Sequence, residues 1–191
     1  DREEVRTQLE RGIALLGGWA QWVKPGENIL LKPNLLAPDP PEKAVTTHPA
    51  VFRAVAESLQ QFGVNLTYGD SPSNGTIEAA ARRSGLAEVA NELRIRMVNF
   101  KEGDTVEFDG IHHRHKAVIA QGVLESDGII SLPKLKTHAL VRLTGAVKNQ
   151  FGCVVGFNKT MFHAKHPVVD HFAALLADLC LYIKPRLYIL D

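Results

Sequence analysis

The segment Asp127-Gly-Ile-Ile-Ser-Leu-Pro-Lys-Leu-Lys-Thr-His138 joins a short apolar run directly to a cluster of basic side chains. The apolar half of this segment predicts a buried strand. The same arrangement occurs earlier in the chain, where Ile29-Leu30-Leu31 is followed by Lys32-Pro33-Asn34. Ligands of parallel sheets bind beyond the carboxyl ends of the strands, so we expect both polar motifs to lie at one crevice.

Apolar residues with helical spacing alternate with these predicted strands. In chain order the pattern predicts a helix over 5–22, a strand over 29–31, a helix over 49–62, a strand over 65–68, helices over 77–83 and 86–92, a strand over 96–100, a hairpin over 106–119, a strand over 127–132, helices over 143–155 and 167–183, and a final strand over 186–191. This alternation predicts an α/β fold with a mainly parallel, doubly wound sheet and helices on both faces.

Length and composition indicate one globular domain. The chain has 191 residues, of which 45% are hydrophobic, and a chain of this size buries roughly two thirds of the surface that it exposes when unfolded. We therefore expect a single α/β domain over residues 1–191. Because the chain starts at Asp1 and stops directly after a predicted strand, we also expect it to be a fragment of a longer protein.

The sequence also carries signals about location. Cys153 and Cys180 lie in apolar surroundings, which is typical of buried thiols in a reducing compartment. The chain shows neither a signal peptide at its start nor an uncharged apolar stretch of roughly 18 residues. We therefore expect a cytoplasmic protein that has no membrane partner.

Charge is distributed unevenly along the chain. The run from Gly128 to Val169 contains no Asp or Glu but holds five lysines, one arginine and three histidines, whereas the whole chain has a formal net charge of only +1. The remainder is therefore net negative. A local excess of positive charge predicts a site for a small anionic molecule, whereas nucleic-acid binding would need basic residues over a whole face.

The candidate site residues come from the motifs that follow the predicted strands and from the acid-free run. They are Lys32, Asn34, Ser71, Lys134, Lys136, Asn149 and Lys159 as residues that bind a cofactor or substrate, Lys148 as a catalytic residue and His163 as a metal ligand, with His138 in the same cluster. Clustered lysines near strand ends are costly unless an anionic partner neutralises them. A lysine whose pKa is lowered can also act as a covalent nucleophile, and a neutral imidazole is a ligand for divalent metals.

Each motif also has a simpler structural explanation. Lys32 and Asn34 would then be a solvent-facing lysine and a turn-capping amide. The loop Gly69-Asp-Ser-Pro-Ser-Asn-Gly75 would be a turn that caps a helix. The tract His112-His113-Arg114-His115 has the composition of a metal site, but its hairpin context favours an exposed turn. The lysines would form a solvated helix face, although Gly145, Gly152 and Gly156 disfavour a plain surface helix.

Several of these motifs, in order and over most of the chain, carry a family resemblance. They are Lys32-Pro-Asn-Leu-Leu36, Thr47-His48-Pro49, Gly69-Asp70-Ser71, Pro133-Lys-Leu-Lys-Thr-His138, Thr144-Gly-Ala-Val-Lys-Asn149 and the stretch from Gly156 to His163. Together they resemble the family known as domain of unknown function 362. Many members of that family carry a ferredoxin-like cluster domain, so the resemblance implies an iron–sulfur partner. This chain lacks the cysteines of such a domain.

A remoter similarity links His138, Lys148 and His163 to the nickel-pincer lactate racemases, in which a catalytic His, a cofactor-binding Lys and a nickel-ligating His follow in this order. The similarity implies that His138 is a proton-transfer base, that Lys148 anchors the cofactor and that His163 binds the metal. The cofactor would be nickel or another divalent metal with a phosphorylated organic group. The racemases' other catalytic His would fall near Asp70 and Ser71, where this chain has none, so we do not expect lactate racemisation.

The sequence therefore supports two main hypotheses. In the first, the domain is part of an enzyme, an isomerase or oxidoreductase, whose crevice binds an anionic cofactor or substrate, for which a phosphorylated and metal-bearing molecule is a candidate. In the second, it is a non-catalytic accessory module that docks a ferredoxin-like partner. A third, purely structural role leaves the acid-free run unexplained.

Overall fold

A computed structural model of the chain describes residues 1–111, 114–155, 162 and 168–191. The described α-helices are α1 (Arg2–Leu15), α2 (Pro49–Phe62), α3 (Ile77–Arg83), α4 (Leu86–Glu92), α5 (Gln121–Leu124), α6 (Ala146–Asn149) and α7 (Val169–Ile183). The described strands are β1 (Asn28–Pro33), β2 (Asn65–Tyr68), β3 (Arg96–Met97), β4 (Gly103–Asp109), β5 (Arg114–Ala120), β6 (Gly128–Leu132), β7 (Lys136–His138), β8 (Arg142–Thr144) and β9 (Leu187–Tyr188). Short 3-10 helices cover Trp19–Gln21, Pro41–Lys43 and Gln150–Cys153.

Five strands form a parallel sheet in the order β3-β2-β1-β6-β9. Strand β1 lies at its centre, and Ile29, Leu30 and Leu31 have no exposed surface, as expected for a strand that is covered on both faces. Two antiparallel hairpins, β4–β5 and β7–β8, lie outside this sheet. The predicted α/β class is thus confirmed.

The strand order reverses direction between β1 and β6. The chain runs from β1 outward to β2 and β3, and later from β6 outward to β9 on the other side. Because crossovers between parallel strands are right-handed, the helices that connect the first half and those that connect the second half lie on opposite faces of the sheet. Helix α1 packs on α2, and α7 packs on hairpin β4–β5. The point of reversal is where such sheets bind ligands.

Most of the predicted elements are present, and local sequence explains where they end. Helix α2 ends at Phe62 because Gly63 follows in a left-handed conformation, with a φ of 94°. The first helix is shorter than the predicted 5–22 range, because Gly17 and Gly18 both have positive φ and interrupt it before the 3-10 turn at Trp19–Gln21.

The prediction of one helix over residues 143–155 is wrong. This stretch contains the end of β8, the single turn α6, the 3-10 helix Gln150–Cys153 and an isolated bridge from Val154 to Ile119. Gly145 has an extended φ of −159°, so helical geometry cannot run through this glycine. Buried side chains from α6 and the 3-10 helix then bond to the sheet, and these tertiary contacts outweigh the helical spacing.

Strand β3 is also shorter than predicted, covering Arg96–Met97 instead of 96–100. The chain leaves the sheet after Val98, whose N–H donates to the Tyr68 carbonyl, and Phe100 turns in to pack on Gly69. In the described part of the chain, no helix is both long enough and apolar enough to cross a membrane.

Candidate functional site

A cavity of about 190 Å³ lies at the carboxyl ends of β1 and β2, beside hairpin β7–β8 and helix α6. This is the edge of the sheet at which its strand order reverses. The predicted site residues that line this cavity are Asn34, Ser71, Lys136, His138, Lys148 and Asn149. Chain topology therefore brings together motifs that are widely separated in the sequence.

Lys32 lies behind the cavity in a buried ion pair. Its side chain has no exposed surface, and its Nζ lies 2.7 Å from Oδ1 of Asp70. The other carboxylate oxygen of Asp70 accepts a hydrogen bond of 2.7 Å from the Leu35 backbone N–H, and the Lys32 ammonium also donates to the Pro33 carbonyl. Lys32 and Asp70 therefore neutralise each other, and Lys32 does not line the cavity.

Asn149 ties α6 to the sheet. Its Nδ2 donates to the Lys32 carbonyl and to the Ser131 hydroxyl, at 3.1 and 3.0 Å. Its Oδ1 accepts from Nζ of Lys32 and from Nδ2 of Asn34, at 3.3 and 3.2 Å. Gln150 donates to the same Ser131 hydroxyl at 2.8 Å. All four hydrogen-bonding sites of the Asn149 amide are used, which fixes α6 against β1 and β6.

Lys136 points into the crevice from β7 and is held in place by two oxygen atoms. Its Nζ donates to Oδ1 of Asn34 at 2.6 Å and to the backbone carbonyl of Val45. Burial, together with the positive charge of Lys148, lowers the pKa of Lys136 to about 8. A negative charge placed nearby would stabilise the protonated form of this lysine.

Lys148 extends from α6 into the same cavity. It is half-buried, and its Nζ lies 5.9 Å from the centre of the Phe151 ring. Among the described residues it has no hydrogen-bonded or ion-paired oxygen. Burial lowers its pKa; the negative charge of Asp70 opposes this shift, and the positive charge of Lys32 adds to it by a smaller amount.

Thr144 is a cavity residue that sequence reasoning missed as a site residue. Its side chain is 3% exposed, and its hydroxyl has no hydrogen-bond partner in the described part of the chain. Buried polar atoms are normally paired, so an orphaned hydroxyl in a cavity wall is suited to bond a ligand. Its position in a Thr-Gly pair gives no distinguishing sequence signal, because its burial depends on hairpin β7–β8.

The His138 ring has a defined hydrogen-bond role. Its Nδ1 accepts the backbone N–H groups of Leu140 and Val141, at 3.1 and 3.2 Å. A neutral ring with this arrangement carries its proton on Nε2 and donates from there. The geometry therefore favours His138 as a hydrogen-bond donor, and its role as a proton-accepting base stays a prediction.

Lys134 is placed away from the cavity. Its Nζ lies 3.1 Å from Oδ2 of Asp191, and the same carboxylate oxygen accepts the His48 N–H at 2.6 Å. Lys134 and Asp191 thus form a second neutralised pair at this edge of the sheet. Of the four described lysines in the predicted cluster, only Lys136 and Lys148 line the cavity.

The predicted metal ligand falls in a part of the chain that the structure does not describe. Lys159 and His163 lie outside the described residues, as do His112 and His113. Within the described ranges, no group of three or more His, Cys, Asp or Glu side chains could hold a metal ion. The polar part of the described lining consists of amines, amides, hydroxyls, the His138 ring and the carboxylate of Asp70, and that carboxylate is already paired with Lys32.

Comparison with known proteins places the chain among relatives. It is 36% identical over 189 residues to the thylakoid-associated protein sll1697 of Synechocystis, an alignment that covers 98% of this chain and 57% of that protein. A crystal structure of a protein from Thermotoga maritima has a similar fold, with a TM-score of 0.61 and 14% identity, and the match covers all of this chain and 50% of the other. The chain thus spans less than two thirds of the length of either protein.

The sequence profile named Domain of unknown function (DUF362) matches residues 29–191. This range includes every strand of the parallel sheet except the first residue of β1, and it includes all of the cavity residues described above. The chain therefore belongs to the family of domain of unknown function DUF362.

Proposed function

We propose that this domain binds a small anionic molecule in the cavity at the carboxyl ends of β1 and β2, as part of an enzyme. The observation that carries the proposal is a local imbalance of charge. Lys136 and Lys148 share one cavity, whereas Asp70, the acidic residue in its described lining, is already paired with Lys32. Two cations without a carboxylate partner of their own are a receptor for negative charge.

The energetics support an anion of either carboxylate or phosphate type. Burial lowers the pKa of both lysines, and the charge of Lys148 further lowers that of Lys136. A bound anion would counter both effects. A hydrogen bond between charged groups contributes about 1.5–3 kcal/mol, so two lysine contacts are enough for specific binding of a small molecule.

The wider predictions extend this proposal. A phosphorylated organic cofactor could place its phosphate against Lys136 and Lys148, and a metal bound to such a cofactor would need His163 or another ligand. An isomerase or oxidoreductase activity, docking of a ferredoxin-like partner and a cytoplasmic location stay predictions. The relative's name, thylakoid-associated protein, makes association with a thylakoid an alternative location.

Calorimetric titration with oxalate and with inorganic phosphate tests the proposal directly. We expect Lys148→Ala to weaken binding by about tenfold or more, which corresponds to one lost charge-assisted hydrogen bond. Lys101→Ala is the matched control, because it also removes one positive charge but from a side chain that is 68% exposed and paired with Glu78. Absence of binding by the unmodified protein, or equal affinity for the two variants, would contradict the proposal.

A further inference from the structure

We infer that Lys148 is a nucleophile that forms an imine with the carbonyl carbon of a small oxo acid bound in the cavity. The inference rests on the proposed anion site and assigns its two lysines different tasks. Lys136 would hold the carboxylate, and Lys148 would react with the neighbouring carbonyl group.

The first argument is the contrast between the four described lysines of the cluster. Three of them have oxygen acceptors at Nζ: Lys32 has Asp70, Lys134 has Asp191, and Lys136 has Asn34 and Val45. Lys148 has none among the described residues. An ammonium group without acceptors in a half-buried position is poorly stabilised, so its neutral amine form, which has a free lone pair, becomes more accessible.

The second argument is the environment of the Lys148 amine. The Phe151 ring, whose centre lies 5.9 Å from Nζ, offers it no oxygen acceptor, and burial lowers the pKa of Lys148 in spite of the opposing charge of Asp70. Desolvation is a known way of making a lysine nucleophilic. The hydrogen bonds of Asn149 to the sheet hold α6 in place, so the amine is presented by a fixed backbone.

The third argument is the rest of the cavity, which suits an acid with an adjacent carbonyl. Lys136 is already positioned by Asn34 and can contact a carboxylate. Thr144 lines the same cavity, and among the described residues its hydroxyl has no hydrogen-bond partner. A cavity of about 190 Å³ has space for on the order of six water molecules, which matches an oxo acid of a few carbon atoms.

The reaction balances without an additional reagent. After the Lys148 ammonium loses a proton to water, its nitrogen attacks the carbonyl carbon, and the carbonyl oxygen gains a proton to give a carbinolamine. The carbinolamine then loses its hydroxyl group and one nitrogen-bound hydrogen as water. A carbon–nitrogen double bond replaces the carbon–oxygen double bond, and neither partner is oxidised or reduced.

Borohydride trapping with glyoxylate tests the inference on the full-length protein. Borohydride delivers hydride to the imine carbon and converts the adduct to a stable secondary amine, which peptide mapping by mass spectrometry can locate. We expect Lys148 to be modified before Lys101, although the Lys101 side chain is 68% exposed. Excess oxalate, which carries the carboxylates but no reactive ketone or aldehyde, should protect Lys148.

Lys148→Arg separates the inference from the proposed function, because arginine keeps the positive charge but forms no such imine. We expect this variant to lose the trapped adduct, and its binding of oxalate is measured beside it as a check that the charged cavity is still formed. If the unmodified protein binds oxalate but Lys148 reacts no faster than Lys101, the inference is wrong and the anion site stands. If the unmodified protein binds no oxalate, the proposed function itself fails. Protection by oxalate is measured on the unmodified protein, so this part of the test holds even if the variant does not fold.

Discussion

Lys32 and Lys148 belong to the same cluster but lie in opposite electrostatic situations. Lys32 has no exposed surface and donates to Asp70, Pro33 and Asn149. Lys148 is half-buried, lines a cavity and has no oxygen partner among the described residues. The comparison sets a buried lysine whose charge is paired within the protein beside a cavity lysine whose partner, in the proposed function, is a bound anion.

The physical basis of the difference is desolvation. A charge that leaves water is tolerated only if a partner and hydrogen bonds replace the lost hydration. The pair Lys32–Asp70 meets this condition within the protein. Lys136 and Lys148 have no such charge partner among the described residues, and in the proposed function a bound anion supplies it.

The largest effect is expected from a variant that removes one partner of the Lys32–Asp70 ion pair. Asp70→Ala leaves the Lys32 ammonium buried without its carboxylate, and removal of one partner of a buried ion pair costs about 3–5 kcal/mol. Urea denaturation should show this loss of unfolding free energy. The double variant Lys32→Met/Asp70→Leu, which removes both charges, should recover much of it. A loss below about 0.5 kcal/mol, typical of a surface substitution, would mean that the pair is not the structural element described here.

A second variant tests how closely the backbone packs on that pair. A Cβ at Gly152 would lie 1.9 Å from Oδ1 of Asp70 and 2.7 Å from Nζ of Lys32, so Gly152→Ala must displace the ion pair. We expect a loss of about 1–3 kcal/mol in unfolding free energy, as for other overpacked sites. Gly12→Ala is the control, because a Cβ there meets nothing within 4 Å and lies inside helix α1. That variant should be neutral or stabilising by up to about 1 kcal/mol, and equal destabilisation by both variants would contradict the close packing.

The smallest effect is expected for the pH dependence of anion binding at Lys136, which lines the cavity. The pKa of Lys136 is lowered from 10.5 to about 8, so the folded protein loses this positive charge at a lower pH than the unfolded chain. The affinity for oxalate should therefore be retained below pH 8 and should fall by about fivefold from pH 8 to pH 9, as the protonated fraction of Lys136 drops.

Lys136→Arg is the control for this pH dependence, because its guanidinium stays charged throughout this range. Its fall in affinity should be weaker than that of the unmodified protein, and what remains would come from Lys148. A flat wild-type profile across this interval would show that Lys136 does not contact the anion. The same lowered pKa also predicts that the contribution of Lys136 to folding stability increases from about pH 8 to about pH 10.5.

Much of the fold was predictable because local patterns and tertiary structure agree there. The apolar run Ile29–Leu31 lies in β1, and the Pro49 and Gly63 signals mark the bounds of α2. The prediction for residues 143–155 failed because the apolar spacing there suggested one helix. In the structure, Gly145 and the buried hydrogen bonds of Asn149 and Gln150 divide this stretch into shorter elements.

The candidate site was predictable as a group of residues but not as a set of roles. The rule that motifs after parallel strands meet at one edge brings Asn34, Ser71, Lys136 and Lys148 to one cavity. It gives no means of separating Lys32 from Lys148, because the partners of Lys32 are Asp70 and Asn149, which lie 38 and 117 residues away in the chain.

The sequence by itself therefore determined the alternation of strands and helices, and with it the edge of the sheet at which the polar motifs gather, because strand and helix periods and turn residues act locally. Only the tertiary structure decided which lysines are neutralised, and which amine and hydroxyl, those of Lys148 and Thr144, have no hydrogen-bond partner within the part of the chain that the structure describes. The reason is that Coulomb interactions and desolvation depend on neighbours in space, and those neighbours come from distant parts of the chain.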